Sequence, residues 1–409
     1  MAGIFGTDGV RSRINTGSMR AEFIVRLASA VGEYFISQNN SFRKTSKPIV
    51  VIGKDTRLSG YMIEAALVSG FTSIGMDCRL TGPIPAAGVA YLTHSLRAEL
   101  GVMISASHNP HYDNGIKLFG PDGFKLDDNI ELKISNLLQG SISLAKPDAL
   151  GRARRMEDSA ARYVEFAKTK LLPQLSLNSL KIVLDCANGA AYKTAPATLQ
   201  ELGATVIPIA VEPDGLNINS GCGATAPEKL KKSLLAHSAD IGIALDGDAD
   251  RVVLCDERGV LHDGNSVLAA LALDMHHKGN LTGPVVGTVM TNLGLERLLK
   301  IKKIPFRRSD VGDRYILETL RRDGGNLGGE PSGHILLPEV TRCGDGLIAA
   351  LKILELVVSR QKPASQILEL FKPIPQKLVN LPNLDKTILE NNIVQKEIEE
   401  IEKQLGNKG

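Results

Sequence analysis

The sequence predicts an α/β protein of several consecutive domains with mixed, mainly parallel sheets. Its length of 409 residues is too great for one ordinary domain and suggests two to four. Short apolar runs typical of buried strands, such as KIVLDC at 181–186, alternate with stretches of helical spacing. This alternation is typical of parallel sheets whose strands are joined by crossover helices.

Composition excludes several functional classes. The 48 basic and 45 acidic residues leave a net charge of only +3, which argues against a nucleic-acid-binding protein. The five Cys residues are dispersed and form no CxxC pair, so we expect a reducing compartment rather than a disulfide framework or a zinc site. The N-terminus lacks a signal-peptide pattern, and no run of 18 apolar residues occurs. We therefore expect a cytoplasmic protein with neither a nucleic-acid nor a membrane partner.

The first part of the chain alternates helical and strand patterns. Apolar residues from Phe23 to Phe35 recur at helical spacing and predict a helix over 20–36. Asp55 and Arg57, in the segment GKDTRLSG, are interpreted as a helix cap and a surface charge. The other predicted elements of this part are a strand at 49–52, a helix at 64–75, a helix after the TGPIP turn and a polar helix up to about residue 138.

The stretch GVMISASHNPHYDNGIKLF, residues 101–119, contains the first candidate site. Its apolar start has the character of a buried strand, and the Asn-Pro pair ends that strand. The following loop would present Ser107 and His108 at the strand end. Asn114-Gly115 predicts a second turn, after which Lys117 lies in another strand. A hydroxyl, an imidazole and an ammonium are therefore expected close together.

The stretch DIGIALDGDADRVVLCD, residues 240–256, is the second candidate site. Asp246, Asp248 and Asp250 follow an apolar strand and alternate with Gly and Ala, so the backbone can curl until their oxygens converge. Three such carboxylates repel one another unless a cation offsets their charge, and hard oxygen ligands suit Mg²⁺ or Ca²⁺. An EF-hand is excluded because Arg251 occupies its sixth position, where Gly is needed. A solvated acidic turn stays open as the alternative.

The stretch GGEPSGH, residues 328–334, is the third candidate site. Glu330, Ser332 and His334 alternate with small residues and would line one side of a loop. On sequence alone, a glycine-rich turn without chemistry is the simpler interpretation. The patterns around it predict helices at 266–277, after residue 311 and after residue 343, and a strand at 285–290.

These stretches resemble the motifs of the α-D-phosphohexomutases, and among them most closely those of bacterial phosphoglucosamine mutases. SASHNP followed by DNGIK is similar to the family's active-serine loop, DGDADR to its metal loop and GGEPSGH to its GEQSGH sugar loop. GIFGTDGVR resembles an N-terminal loop that reaches the active site. The segments GKDTRLSG and NINSGCGATAPE also have counterparts. Two positions depart from the family pattern, because Ala226 replaces His and Pro331 replaces Gln.

The resemblance implies a role for each candidate residue. Ser107 would carry the phosphate that is exchanged with the sugar, and His108 would position the serine loop. Arg11, Lys117 and His334 are candidates for proton transfer. The implied ligands of one Mg²⁺ per chain are Ser107, Asp246, Asp248 and Asp250. The implied substrate-binding residues are Glu330, Ser332, Arg251, Asp313 and Arg314.

The resemblance also implies three consecutive α/β domains around a central cleft, followed by an incomplete fourth, α+β domain with a helix from Asp385 to Leu405. Family members continue beyond this point into a loop that binds the distal phosphate, so we expect a weak or inactive mutase. The expected boundaries are 1–157 with the phosphoserine loop, 158–257 with the metal loop, 258–371 with the sugar loop, and 372–409 as the start of the phosphate-binding domain.

The implied activity is interconversion of glucosamine 6-phosphate and glucosamine 1-phosphate. It would proceed through phospho-Ser107 and a hexosamine 1,6-bisphosphate, and would serve the synthesis of UDP-GlcNAc and cell-wall precursors. The expected partner is a small hexosamine phosphate, and the expected assembly is a monomer or a homodimer. The alternatives are a phosphomannomutase/phosphoglucomutase, or a truncated, non-catalytic sugar-phosphate-binding protein. Intact Ser107 and three aspartates argue against the last.

Overall fold

The protein is described by a computed structural model, which covers residues 4–6, 8–38, 47–377, 379 and 386–406. Residues 1–373 form one compact unit and residues 374–409 another. The polar segment SQNNSFRKTSK, which predicts a loop, and the Pro-rich segment PIPQKLVNLPNL lie partly outside the described residues.

The first sheet of the larger unit has six strands in the order β1-β5-β4-β2-β3-β6. Strands β2, β3, β4 and β6 run parallel, whereas β1 and β5 are antiparallel to their neighbours. The inner strands β2 and β4 are apolar along nearly their whole length because helices cover both faces. The elements are β1 (Val10–Arg13), α1 (Ala21–Gln38), β2 (Ile49–Lys54), α2 (Gly60–Ser73), β3 (Asp77–Pro83), α3 (Ala86–Ser95), β4 (Leu100–Ile104), β5 (Asp113–Phe119), α4 (Asp128–Leu137) and β6 (Ala153–Arg155).

The second sheet has five strands in the order β11-β10-β9-β7-β8. Its strands β8, β7 and β9 are parallel, and β10 and β11 continue it in antiparallel pairs. The elements are α5 (Ser159–Lys168), β7 (Lys181–Asp185), α6 (Thr194–Glu201), β8 (Thr205–Ile209), α7 (Glu228–His237), β9 (Ile241–Leu245), β10 (Val252–Asp256) and β11 (Leu261–His262).

The third sheet has four strands in the order β13-β12-β14-β15, of which only the β14–β15 pair is antiparallel. Each of the three sheets is therefore mixed, as the sequence predicted. The elements are α8 (Gly264–His277), β12 (Val285–Thr288), α9 (Leu293–Ile301), β13 (Phe306–Ser309), α10 (Asp313–Asp323), β14 (Gly328–Gly329), β15 (Ile335–Leu336), α11 (Gly346–Arg360) and α12 (Ala364–Leu368).

One buried apolar cluster extends through all three sheets and their helices. It includes Met103 of β4, Leu184 of β7 and Leu351 of α11, each completely buried. Helix α11 is apolar on nearly all sides because it packs within this cluster rather than on its surface. Burying one such side chain stabilises the fold by about 1.5–3 kcal/mol, so the cluster holds the loops between the sheets in fixed positions.

The turn predicted at Asn114-Gly115 is wrong. Both residues lie within β5, and the chain reverses earlier, between Ser105 and Tyr112. The Asn114 amide donates a hydrogen bond to the Ser59 hydroxyl instead of forming a turn. Gly115 serves close packing, since a Cβ there would lie 2.6 Å from the Ser105 carbonyl oxygen.

The smaller unit contains a short 3₁₀ helix, Lys386–Glu390, and helix α13 (Asn392–Leu405). The sequence predicted one continuous helix from Asp385. The interruption lies at Asn391, whose side chain caps α13 by accepting the Ile393 N–H. Among the described residues, no helix is both long and apolar enough to cross a membrane.

Candidate active site

Ser107 is held at the end of β4 in a strained loop. Its φ of 50° lies in the left-handed region, which costs a non-glycine residue about 1–3 kcal/mol and is retained only where surrounding contacts enforce it. Its hydroxyl donates to Asp246 Oδ2 at 2.5 Å and lies 3.3 Å from His108 Nδ1. The predicted serine loop and the predicted metal loop therefore meet at this hydroxyl.

A buried arginine fixes the shape of the serine loop. Arg57 is only 1% exposed, and its Nε donates to Asp55 Oδ2 at 2.8 Å. Asn219, in the connection between β8 and α7, binds the same loop, and its amide donates to the Ser107 carbonyl oxygen at 2.9 Å. The guanidinium donates to carbonyl oxygens of Ser107, Asn109, Pro110 and Asp113. The sequence predicted a surface charge at Arg57 and indicated no chemical role for the segment that contains Asn219.

We expect Arg57→Lys to lower turnover at least about tenfold. A single ammonium cannot reach the carbonyl oxygens that the planar guanidinium spans, so Ser107 would be misplaced, and small displacements of a reacting group are costly. Turnover and the phosphate content of Ser107 are the measurements. Arg162→Lys, on an exposed ion pair of α5, is the control and should change neither. Equal turnover of the two variants would contradict this role.

The three aspartates converge directly after β9. One oxygen from each of Asp246, Asp248 and Asp250 lies within 4.8 Å of the others, and all three residues are at most 5% exposed. Burial, together with the charges of Asp250 and Asp248, raises the pKa of Asp246 to about 8. No described residue donates a hydrogen bond of normal geometry to either oxygen of Asp248 or to Oδ1 of Asp250. Buried, mutually repelling carboxylates with oxygens left over fit a hard divalent cation.

Lys117 lies against this triad and is 1% exposed. Its Nζ is 2.8 Å from Asp248 Oδ2 and 3.0 Å from both Asp250 Oδ2 and Asp8 Oδ2. Burial works to lower the pKa of Lys117, but these carboxylates outweigh it and raise that pKa well above its ordinary value. Lys117 is therefore positively charged at rest beside Asp248.

A chain of alternating charges continues from Lys117 across the cleft. Asp8 is ion-paired with Arg11 and with Lys125, and Lys125 is also paired with Asp313. His334 Nε2 is 3.4 Å from Asp313 Oδ2. Burial would lower the pKa of His334, but Asp250, whose Oδ1 is 3.6 Å from Nδ1, and Asp313 raise it to about 10. Asp8 and Lys125 belong to this network, although the sequence reasoning did not include them.

A cavity of about 520 Å³ opens over this network. Residues near the N-terminus, from the second sheet and from the third sheet all contribute to its walls. Most of the predicted site residues reach it directly, and Ser107 and Lys117 lie buried just beneath. The lining residues are Ile4, Phe5, Gly6, Asp8, Gly9, Arg11, His108, Lys125, Asp250, Arg251, Val311, Gly312, Asp313, Glu330 and His334.

The predicted sugar loop is placed at the cavity through Glu330. Its Oε1 accepts the Gly312 N–H and its Oε2 accepts the Ser332 hydroxyl, both at 2.9 Å. Ser332 is therefore behind Glu330 rather than among the lining residues. Pro331 departs from the family pattern. Its carbonyl oxygen accepts a hydrogen bond from the Gly264 N–H at 3.1 Å, so this bond holds the loop without the usual Gln side chain.

Arg314 is a predicted site residue whose contacts lie outside this arrangement. It does not line the cavity; its guanidinium is ion-paired with Asp128 and Glu131 of α4 and with Glu318. It thus connects α10 to the first sheet's helix layer. The neighbouring Asp313, by contrast, faces the cavity and pairs with Lys125.

The segments that contain the three sheets each match a domain model of one protein family. Models of phosphoglucomutase/phosphomannomutase alpha/beta/alpha domains I, II and III match residues 2–143, 161–259 and 263–374. A phosphoglucosamine mutase of Maricaulis maris is 54% identical over 407 residues, covering 98% of this chain and 89% of that protein. One of Granulibacter bethesdensis is 55% identical over 381 residues, covering 92% and 82%.

A solved structure agrees in fold. It is the crystal structure of a phosphoglucomutase/phosphomannomutase family protein from Burkholderia thailandensis, with a TM-score of 0.77 and 24% identity. The match covers 89% of this chain and 78% of that chain. The three consecutive α/β domains predicted from the sequence are thereby confirmed; the exact boundaries at residues 157, 257 and 371 stay a prediction.

Proposed function

Because the chain belongs to the phosphoglucomutase/phosphomannomutase family, we propose that it is a mutase that interconverts glucosamine 6-phosphate and glucosamine 1-phosphate. The observation that carries the proposal is the Ser107 hydroxyl, 2.5 Å from a carboxylate of the aspartate triad and just beneath the cavity. The two relatives at 54% and 55% identity, both phosphoglucosamine mutases, support the choice of sugar. A cavity of about 520 Å³ is within the range of about 300–1,000 Å³ typical of small-molecule sites.

In the proposed reaction, phospho-Ser107 donates its phosphoryl group to the free hydroxyl of the bound monophosphate. The bond from phosphorus to Ser107 Oγ breaks and a bond to the sugar oxygen forms. The sugar hydroxyl gives up its proton to the protein, and the protein returns a proton to Ser107 Oγ as it leaves the phosphorus. The resulting 1,6-bisphosphate turns over, and its other phosphate returns to Ser107. Arg11, Lys117 and His334, which belong to or adjoin the charged network, are the proposed proton-transfer groups. His108, 3.3 Å from Oγ, positions the serine.

We further propose that Asp246, Asp248, Asp250 and the Ser107 oxygen hold one Mg²⁺ per chain. When bound, this ion neutralises charge on the phosphoryl group during transfer. Lys117 and Arg251 add positive charge on the same side. The five Cys residues are all buried free thiols, which supports the expected reducing, cytoplasmic location.

A comparison of substrates tests the proposal. Purified protein with Mg²⁺ and a trace of hexose 1,6-bisphosphate should convert glucosamine 6-phosphate faster than glucose 6-phosphate or mannose 6-phosphate. Faster conversion of mannose or glucose 6-phosphate would favour the phosphomannomutase/phosphoglucomutase alternative. Binding without conversion of any of the three would favour a sugar-phosphate-binding protein.

We expect Glu330→Ala to lower kcat/KM about 10- to 100-fold, since one charge-assisted hydrogen bond to a sugar hydroxyl contributes about 1.5–3 kcal/mol. Phosphorylation of Ser107 by a small phosphoryl donor such as acetyl phosphate should persist, because Glu330 does not contact the serine loop. Ser332→Ala is the matched variant: it removes only a hydrogen bond to Glu330 and should have a smaller effect. Loss of serine phosphorylation in Glu330→Ala would contradict a role confined to the sugar.

A further inference from the structure

The backbone of the metal loop is bound by all three α/β domains. Three consecutive carbonyl oxygens of this loop each accept a hydrogen bond from a backbone N–H of a different domain. The pairs are Ala190 N to Gly247 O at 2.8 Å, Ala86 N to Asp248 O at 3.0 Å, and Gly346 N to Ala249 O at 2.9 Å. The direction of the aspartate side chains therefore depends on how the three domains are held together.

The contribution of the third domain comes from the turn Cys343-Gly344-Asp345-Gly346, which begins α11. This turn packs tightly against the residues of the site, with no room for added side-chain atoms. A Cβ at Gly346 would lie 2.4 Å from the Arg251 carbonyl oxygen, and one at Gly344 would lie 2.3 Å from His334 Nε2. Any shift of the turn would therefore be transmitted to the metal loop and to His334.

Asp345 fixes this turn. It is 2% exposed, and its Oδ1 caps α11 by accepting the Ile348 N–H at 3.0 Å. Its Oδ2 accepts the hydroxyl of Tyr163 at 2.8 Å. Tyr163 lies on α5 of the second domain and is fully buried. One carboxylate thus connects the first turn of α11 to a helix of the domain that carries the metal loop.

We propose that Asp345 is a positioning residue for the metal loop. By joining α11 to Tyr163, it holds the Gly346 N–H against the Ala249 carbonyl oxygen, and this keeps the Asp248 and Asp250 carboxylates converged. The inference rests on the proposed metal site, and it adds a residue that contacts neither the ion nor the substrate. Partners behind metal ligands typically change metal affinity about 10- to 100-fold when they are removed.

Two readouts that need no substrate test the proposal. In the metal-free protein, Asp345→Ala should speed amide hydrogen exchange of the peptide that contains residues 246–251 at least about tenfold. In titrations with Mn²⁺, its Kd should rise about 10- to 100-fold. Tyr163→Phe, which removes only the hydroxyl, should change both in the same direction by less. Asp345→Asn keeps the helix cap and can still pair with the tyrosine hydroxyl, so it should restore values close to wild type.

The matched control is Asn292→Ala, which removes the cap of α9 in the same domain. It should lower the unfolding temperature but leave loop exchange and Mn²⁺ affinity unchanged. If Asp345→Ala only matched this control, the positioning role would be overturned. If Asp345→Ala fails to fold, Tyr163→Phe with unchanged loop exchange has the same consequence. If the wild-type protein showed no mutase turnover while the Asp345 and Tyr163 variants still showed these shifts, the proposed function would be refuted and the positioning role would remain intact.

Discussion

Ser107→Ala is expected to abolish mutase turnover, with a loss of at least about 10⁴-fold, because no other group can carry the phosphate between the two sugar oxygens. The hydroxyl donates one short hydrogen bond, to the buried Asp246 carboxylate, so its removal should lower stability by about 1–3 kcal/mol, too little to explain the loss of turnover by unfolding. Turnover of glucosamine 6-phosphate is the first measurement. The second is peptide mapping of the wild-type protein after incubation with a hexose 1,6-bisphosphate, which should find phosphate on Ser107.

Ser105→Ala provides the matched control for this experiment. The Ser105 hydroxyl accepts the Ser107 N–H at 2.9 Å and donates to Asp55 Oδ2 at 2.7 Å, so it supports the loop without facing the cavity. Its replacement should reduce turnover but leave phosphorylation of Ser107 detectable. Phosphate on Ser105 in the wild-type protein, or substantial turnover by Ser107→Ala, would show that the nucleophile is misassigned.

The residues that the sequence located well belong to short contiguous motifs. Asp246, Asp248 and Asp250 lie within five positions, and their convergence follows from the small residues between them. Ser107 and His108 likewise share one loop. Such groups depend little on how distant parts of the chain come together, so local patterns were sufficient to predict that they lie close together.

The residues that the sequence reasoning missed act across long separations. Lys125 reaches Asp8 across 117 positions, and Asn219 reaches the Ser107 carbonyl across 112. Arg57 is separated from the serine loop by 50 positions, and an Arg beside an Asp at a helix start is ordinarily a solvated pair. Only its complete burial shows that its donors are directed inward. The family counterpart of GKDTRLSG was the one signal available, and it did not specify the partner.

The second large effect is expected at the aspartate triad, because the mutual repulsion of its carboxylates is unfavourable without a cation. Burial and the neighbouring carboxylates raise the pKa of Asp246 to about 8, above its value in an unfolded chain. A carboxyl group with a raised pKa contributes stability that is present below the unfolded pKa and is lost as the pH rises towards 8. The charge on Asp246 is therefore destabilising at neutral pH in the metal-free protein, and a bound divalent cation should stabilise the folded protein by an amount that depends on its affinity.

Asp248→Asn should remove this metal-dependent stabilisation and lower turnover at least about 10³-fold, while the metal-free protein unfolds at a temperature no lower than that of the wild type. At an Mg²⁺ concentration of about 100 times the wild-type Kd, wild type gains about 2.7 kcal/mol, whereas a variant that binds about 100-fold more weakly gains less than about 0.5 kcal/mol. Thermal unfolding with and without Mg²⁺ measures both values.

Asp256→Asn is the control. Asp256 is equally buried but is paired with Arg258 and His262, so its replacement should destabilise the protein and leave the Mg²⁺ gain intact. An unchanged Mg²⁺ gain in Asp248→Asn would place the ion elsewhere, because one of three converging carboxylates cannot be neutralised without weakening a site that depends on their combined charge.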